Sequence, residues 1–509
     1  MRARTVLTLA LAESLIVLVA AVVTAFAKGF DGLYGQDAFA YVDYALGPLT
    51  AALSARQMPP DFFWPPAFPL LIAGLGGLGL GDGAGQLIAL ACGCALPFLV
   101  VMVGRQLPAL GASERMRDLT ALLAGLVTAV SGHLWQSSIV AMADTMGAAF
   151  ATVGAWAALR FARTTSWPFV AVGAAAFAIA IQARWMYGLV ALPLVALTLW
   201  HIYRAARVGQ RRTALASVVA GSLTALLVLA PTGLPIVVAL VNGQTPPFSG
   251  NFAVYSWNPL GALSTSFDTA DGRLSYALPT GLFYLLQPIQ PYWLGAIGLL
   301  LFPGARTILR KPSPGGLALL IWPLLVFGFH LGGAYQNTRF FLAALAPAVL
   351  IAAIGATSTF AYLRDRGLSL GRFRLATLFA AALAAAIAFN AAYGLRFTGS
   401  FVDREVADVA SIRELAAKVE SDGRLIALGA TTVLLHDGRD AVELYRLEPE
   451  SARELVLDDR PDYLLVDSSA VTGQFASLAA GRTFAALSAE PGIRPVATSG
   501  IWTLYVIGE

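Results

Sequence analysis

Val6 to Ala27 reads VLTLALAESLIVLVAAVVTAFA, an apolar run broken by a single charge, Glu13, and preceded by Arg2 and Arg4. A helix rises about 1.5 Å per residue, so a run of this length crosses the ~30 Å hydrocarbon layer of a bilayer. Ala25-Phe26-Ala27 has the form of a signal-peptidase site, but the run is longer than the apolar part of a secretory signal. It predicts an uncleaved first span.

Working outward, similar runs recur. With the first at 5–27, they lie at 84–104, 118–136, 140–161, 167–184, 186–203, 213–241, 278–303, 315–332, 339–358 and 373–394. The chain is 57% hydrophobic and 13% charged, against about 25% charged in soluble domains. The expected fold is a polytopic α-helical membrane protein of about eleven spans. Many runs are rich in Ala and Gly, which lets helix backbones approach closely. Cys92 and Cys94 sit on one short piece of a run, a poor geometry for a mutual disulfide. The net charge of +4 is small and gives no sign of a nucleic-acid partner.

The cations are clustered. Arg2/Arg4, Arg105/Arg115/Arg117, Arg160/Arg163, Arg204/Arg207/Arg211/Arg212, Arg306/Arg310/Lys311 and Arg364/Arg366/Arg372/Arg374 fall between runs or at their ends. Placing every cluster in the cytoplasm satisfies the positive-inside rule. Two large loops, 28–83 and 242–277, then lie outside. The short apolar piece 66–80 must then remain within the first of them as a re-entrant or surface helix. Residues 395–509 hold no span and alternate strand-like runs (Leu425–Leu428, Tyr463–Val466, Trp502–Ile507) with a helical pattern at 405–420. That alternation predicts a small α/β domain, extracytoplasmic by parity, following a transmembrane domain over 1–394. Multi-pass insertion in the plasma (inner) membrane follows.

The first external loop carries Leu33-Tyr34-Gly35-Gln36-Asp37-Ala38-Phe39-Ala40-Tyr41-Val42-Asp43-Tyr44-Ala45, then Trp64-Pro65-Pro66-Ala67-Phe68-Pro69. Taken alone, Asp37 is equally a solvated loop carboxylate or a helix N-cap. Asp144 opens an apolar run, Arg184 interrupts two, and Gln336-Asn337-Thr338-Arg339-Phe340-Phe341 precedes Pro347. The second loop is Pro- and aromatic-rich from Gly243 to Trp257, suited to stacking on a ring or covering a site. There is no P-loop or Gly-x-Gly-x-x-Gly phosphate cradle, which argues against an ATP-driven pump. No Cys/His cluster has metal-ligand spacing.

In order and across most of the membrane part, these motifs resemble the GT-C superfamily of membrane glycosyltransferases. The nearest pattern is that of family 39, the protein O-mannosyltransferases and the aminoarabinose transferases. The resemblance rests on Asp37, Tyr41 and Ala45, on Pro65-Pro66-Ala67-Phe68-Pro69, on Ala143-Asp144, on Ala183-Arg184, and on the Arg339 element. It implies an inverting glycosyltransferase moving a sugar from a polyprenyl-phosphate donor to an extracytoplasmic lipid, glycan or protein. Asp37 would be the base, and Arg184 and Arg339 would hold the departing phosphate. Asp144 and Asp43 would serve as a second acid or network, and Tyr41, Tyr335 and His330 as pocket residues. Ala38 stands where the family often has a second acid, so no metal site and no cofactor is expected. The C-terminal domain is expected to help recognise the acceptor. A polysaccharide polymerase or ligase using a lipid-linked oligosaccharide, and a lipid-linked-sugar transporter, are the competing readings.

Overall fold

The computed structural model describes residues 3–107, 113–250, 256–371, 373–420, 423–448, 462–489 and 493–507. Arg2, Arg372 and residues 251–255 of the second loop, all used above, lie outside that set.

Seven described helices are long and apolar enough to cross a membrane. An eighth crossing forms if Glu114–Ala129 and Gly132–Ser138, bent by 59°, are one span. By length and composition alone, the count therefore falls short of the expected eleven. The runs at 140–161 and 167–184 are helical, as Asp144–Thr164 and Pro168–Ala183. The run at 278–303 departs most. It is a helix Thr280–Leu286, 3-10 turns Gln287–Ile289 and Gly295–Leu300, and a helix Leu301–Arg310. Pro288 and Pro291 each remove a backbone donor there. Gly295 turns with φ 56°, and Asn390 of another helix donates to Leu294 O at 2.7 Å. The segment is apolar but does not form one continuous helix. The piece read as non-crossing is helical over Ala67–Leu80, about 21 Å long at 1.5 Å per residue.

The helix Asp144–Thr164 packs against Pro168–Ala183, Gly83–Gly104 and Tyr187–Arg207. Small residues permit this. A Cβ on Gly147 would lie 2.3 Å from the Tyr187 ring, and one on Gly154 2.7 Å from Phe177. The helix Leu345–Asp365 is buried from Leu345 to Ala356. By contrast, Arg211–Val241 buries only Ala214, Ser217, Thr232 and Ala239. Its exposed Leu215, Leu226, Leu227 and Leu234 form the apolar exterior that lipid covers and water would not tolerate at this extent.

The final long helix, Leu375–Ala416, has 42 residues, about 63 Å at 1.5 Å each and twice the ~30 Å hydrocarbon layer. The last span and the helix expected near 405–420 are therefore one rod, which leaves the membrane and enters the soluble region. There a five-stranded sheet forms. We number strands from the two short hairpins, β1 (Ser266–Thr269) with β2 (Gly272–Ser275) and β3 (Ser369–Leu370) with β4 (Phe373–Arg374). The sheet then holds β5 (Arg424–Leu428), β6 (Ala441–Glu443), β7 (Asp462–Asp467), β8 (Arg494–Ser499) and β9 (Trp502–Ile507) in the order β6-β5-β7-β9-β8. Both β6 and β7 run parallel to β5, and β9 is antiparallel to β7 and β8.

One apolar cluster joins this sheet to the first external loop. It runs from Phe39 and Tyr41 through Ile139–Met146 to Leu425, Leu465 and Trp502. The C-terminal sheet is thus seated on the segment that carries Asp37.

Candidate active site

Four helix ends converge. Asp37 lies in the first turn of the helix Gly35–Tyr44, whose N-cap is Tyr34. Asp144 is the first residue of its helix, capped by Ala143. Neither carboxylate is therefore an N-cap, and the positive end of each helix favours a negative charge there. Arg184 is the C-cap of Pro168–Ala183, which explains why the sequence shows an Arg between two apolar runs. Arg339 enters on the 3-10 segment Thr338–Ala344, where Asn337 Oδ1 accepts from Arg339 N at 2.9 Å.

The four side chains form one chain of ion pairs. Arg184 Nη2 is 3.0 Å from Asp144 Oδ2. Arg339 Nε is 3.5 Å from the same oxygen, and its Nη2 is 3.1 Å from Asp37 Oδ2. Arg339 Nη1 also donates to the Tyr34 hydroxyl at 3.2 Å. Exposure separates the two acids: the Asp144 side chain is 8% exposed and that of Asp37 36%. Asp144 is locked between two guanidinium groups, whereas Asp37 can meet a substrate.

These groups line a cavity of about 810 Å³. Asn337, Tyr335 and Asp271 add to its polar lining, and Trp64, Trp185 and Trp257 supply aromatic surface. The rest of the lining is apolar and includes Leu189 of the membrane helix Tyr187–Arg207 and Leu324, Leu325 and Phe329 of Pro314–Leu331.

Of the residues expected from sequence, Asp37, Asp144, Arg184, Arg339, Tyr335 and His330 all reach this cavity. His330 is stacked between Tyr284 and Phe340. Tyr41 stands behind the wall, fully buried among Phe62, Trp64 and Phe68. Asp43 is not brought to the site. It lies six residues past Asp37 on a ten-residue helix and turns to the C-terminal domain, its Oδ1 2.6 Å from His436 Nδ1. Two members had no role assigned from sequence, Tyr34 and Asp271. For Asp271 a signal existed: Phe267-Asp268-Thr269-Ala270-Asp271-Gly272-Arg273-Leu274 places Asp-Gly between alternating apolar residues, a strong hairpin pattern.

No protein-family model matches the chain, and no curated protein matches its sequence. Solved structures do match its fold. ArnT from Cupriavidus metallidurans in the apo state superposes with TM-score 0.61 at 15% identity, covering 97% of each chain. The same protein bound to undecaprenyl phosphate gives 0.60 at 14%, over 100% of this chain and 99% of that one. The archaeal oligosaccharyltransferase AglB from Archaeoglobus fulgidus, in complex with an inhibitory peptide and a dolichol-phosphate, gives 0.58 at 13%, over 99% and 74%. The chain is a multi-pass membrane protein that shares the fold of ArnT and AglB.

Proposed function

We propose that the protein is an inverting glycosyltransferase that uses a polyprenyl-phosphate sugar. The observation carrying this reading is the pair of largely buried arginines sharing one carboxylate in a cavity that membrane helices line with apolar side chains. A lipid-linked sugar phosphate combines the same chemistries: an apolar tail, an anion and a polar ring. ArnT, which shares the fold, has been seen with undecaprenyl phosphate.

The donor phosphate enters the arginine pair and takes the Arg339 contact that Asp37 holds in the free protein. Arginine suits this, because its planar fork contacts phosphate through two parallel donors. Asp37 is then released beside the anomeric carbon. The acceptor hydroxyl attacks that carbon while its proton passes to Asp37. The carbon–oxygen bond to phosphate breaks, and polyprenyl phosphate leaves with the electron pair, its charge held by Arg184 and Arg339. Attack opposite the leaving group inverts the anomeric centre. Asp144 does not exchange protons; it fixes both arginines.

The residues present do not suit a resident divalent ion. Asp37 is followed by Ala38, and Asp37 and Asp144 are both engaged by arginines. In this reading the reaction runs on the extracytoplasmic face of the plasma (inner) membrane, with a lipid, glycan or protein acceptor. The C-terminal domain, seated on the Asp37 loop, bears on substrate recognition and carries no transfer chemistry.

Asp37→Asn keeps shape and removes the base. Binding of undecaprenyl phosphate should persist while turnover falls roughly 100-fold or more. Arg339→Ala should instead weaken lipid-phosphate binding, since a charge-assisted contact is lost. Near-normal turnover by a folded Asp37→Asn protein would place the base elsewhere.

A further inference from the structure

The hairpin β1–β2 ends in a two-residue turn, Ala270-Asp271, and Asp271 projects into the cavity. The turn is held from two sides. From the membrane domain, the Tyr335 hydroxyl donates to Asp271 Oδ2 at 2.7 Å. From the C-terminal domain, the Tyr445 hydroxyl donates to Ala270 O and lies 3.4 Å from Asp271 Oδ1. Gln474 Nε2 donates to Asp271 O, and Arg273 N donates to Gln474 O at 2.9 Å. Gly272 has φ +88°, and a Cβ on it would lie 2.2 Å from Gln474 O. No other residue fits that seat. A carboxylate is thus fixed in the cavity wall by contacts that the catalytic sequence described above does not need.

Its chemistry is that of an acceptor of hydrogen bonds. An ionised carboxylate has about four lone-pair sites. Here the described donors are tyrosine hydroxyls, and no described cation pairs with it. The remaining capacity faces the cavity. A phosphate is repelled by it and drawn to Arg184 and Arg339, whereas a hydroxyl or amine is attracted, so the two poles orient a ligand carrying both. Trp257, anchored through Nε1 to Phe329 O at 3.1 Å, supplies an aromatic wall in the same cavity.

We propose that Asp271 recognises the hydroxyl or amine groups of the donor sugar, on the side remote from its phosphate, and that the C-terminal domain holds it there. The inference rests on the polyprenyl-phosphate-sugar reading above. Recognition of the donor is then built jointly by the membrane domain, at the phosphate, and by the C-terminal domain, at the ring.

The test is equilibrium binding to the full-length protein in detergent. The probes are undecaprenyl phosphate alone and a panel of undecaprenyl-phosphate monosaccharides differing in ring hydroxyls and in the presence of an amine. Wild type should prefer at least one sugar-bearing lipid over the bare one. Asp271→Asn should bind undecaprenyl phosphate within about twofold of wild type and lose roughly tenfold on the preferred sugar lipid, the scale of one hydrogen bond to a charged group. Tyr335→Phe, which frees the carboxylate without removing it, should lose less on the same probe and nothing on the bare lipid. If Asp271→Asn keeps the full preference, or if wild type gains nothing from any sugar, Asp271 is not a sugar contact and the phosphate reading stands. If wild type binds no polyprenyl phosphate, the proposed function falls first and the inference with it.

Discussion

Replacing Asp144 with Asn should unsettle the protein more than it unsettles chemistry. The Asp144 side chain is 8% exposed and lies 3.0 Å from Arg184 and 3.5 Å from Arg339. Removing one member of a buried ion pair costs about 3–5 kcal/mol, because the other charge stays buried without compensation. The amide oxygen still accepts one hydrogen bond, returning about 1 kcal/mol, so a net loss of about 2–4 kcal/mol follows. Asp37→Asn removes a carboxylate that is 36% exposed, and solvent screening holds that loss to about 1 kcal/mol or less. Thermal unfolding of the two variants in detergent should therefore rank Asp144→Asn well below Asp37→Asn. Undecaprenyl phosphate should narrow the gap. Its phosphate returns an anion to the bare arginine pair, and a ligand at 100 times its dissociation constant adds about 2.7 kcal/mol. The increment in melting temperature on adding the lipid should be larger for Asp144→Asn than for wild type. An Asp144→Asn protein that melts with wild type, and gains no more from the lipid, would refute the shared-anion account of Arg184 and Arg339.

Two other outcomes are expected. The link between the first external loop and the C-terminal domain should depend on pH: Asp43, bonded to His436, raises the histidine above its ordinary 6.5, with Asp82 and Asp437 adding to the pull. A raised folded value means the stabilisation is complete below about pH 6.5 and is lost as pH rises through the folded value. The melting difference between wild type and His436→Gln should shrink in that direction, and a difference constant from about pH 5.5 to 9 would rule the clasp out. For topology, reporters fused after Gly209 and after Thr398 should sit on opposite sides of the membrane, cytoplasmic and external respectively; the same side for both would invalidate the assignment of the arginine clusters.

Much of the membrane part was legible because lipid imposes a single rule, that backbone polar groups be satisfied within the segment. Runs such as 84–104 and 213–241 consequently appear as helices Gly83–Gly104 and Arg211–Val241. The rule fails where an apolar run is covered by protein. At 278–303, Asn390 takes a backbone carbonyl at 2.7 Å and the broken chain needs no continuous helix; hydrophobicity alone does not distinguish lipid from protein as the surrounding medium. At the soluble end the strand-like runs appear as β5, β7 and β9, and only the continuity of the helix leading into them escapes the sequence. A helical pattern at 405–420 carries no mark that it continues the preceding span, and the unbroken rod Leu375–Ala416 shows only in three dimensions.

The site followed the same division. Asp37, Asp144, Arg184 and Arg339 could be singled out because a charge beside an apolar run is costly unless it has work or a partner. Their mutual pairing could not, since Arg339 and Asp37 are 302 positions apart. Asp43 shows the opposite error: an acid close to Asp37 in sequence was grouped with it, yet helix geometry sends it to His436. For Asp271 the sequence signals a hairpin turn but not a place in the site, for a third reason. In a polar loop an acidic residue is ordinary, and only its grip by Tyr335, Tyr445 and Gln474 distinguishes it from a solvated turn. That grip ties the sheet of the C-terminal domain to the cavity through a two-residue turn. A C-terminal domain that acted on the acceptor alone would have no need to hold a carboxylate beside the donor. Altering Gln474 or Gly272, outside the cavity, is therefore expected to change which sugar is accepted before it changes how fast the sugar is transferred.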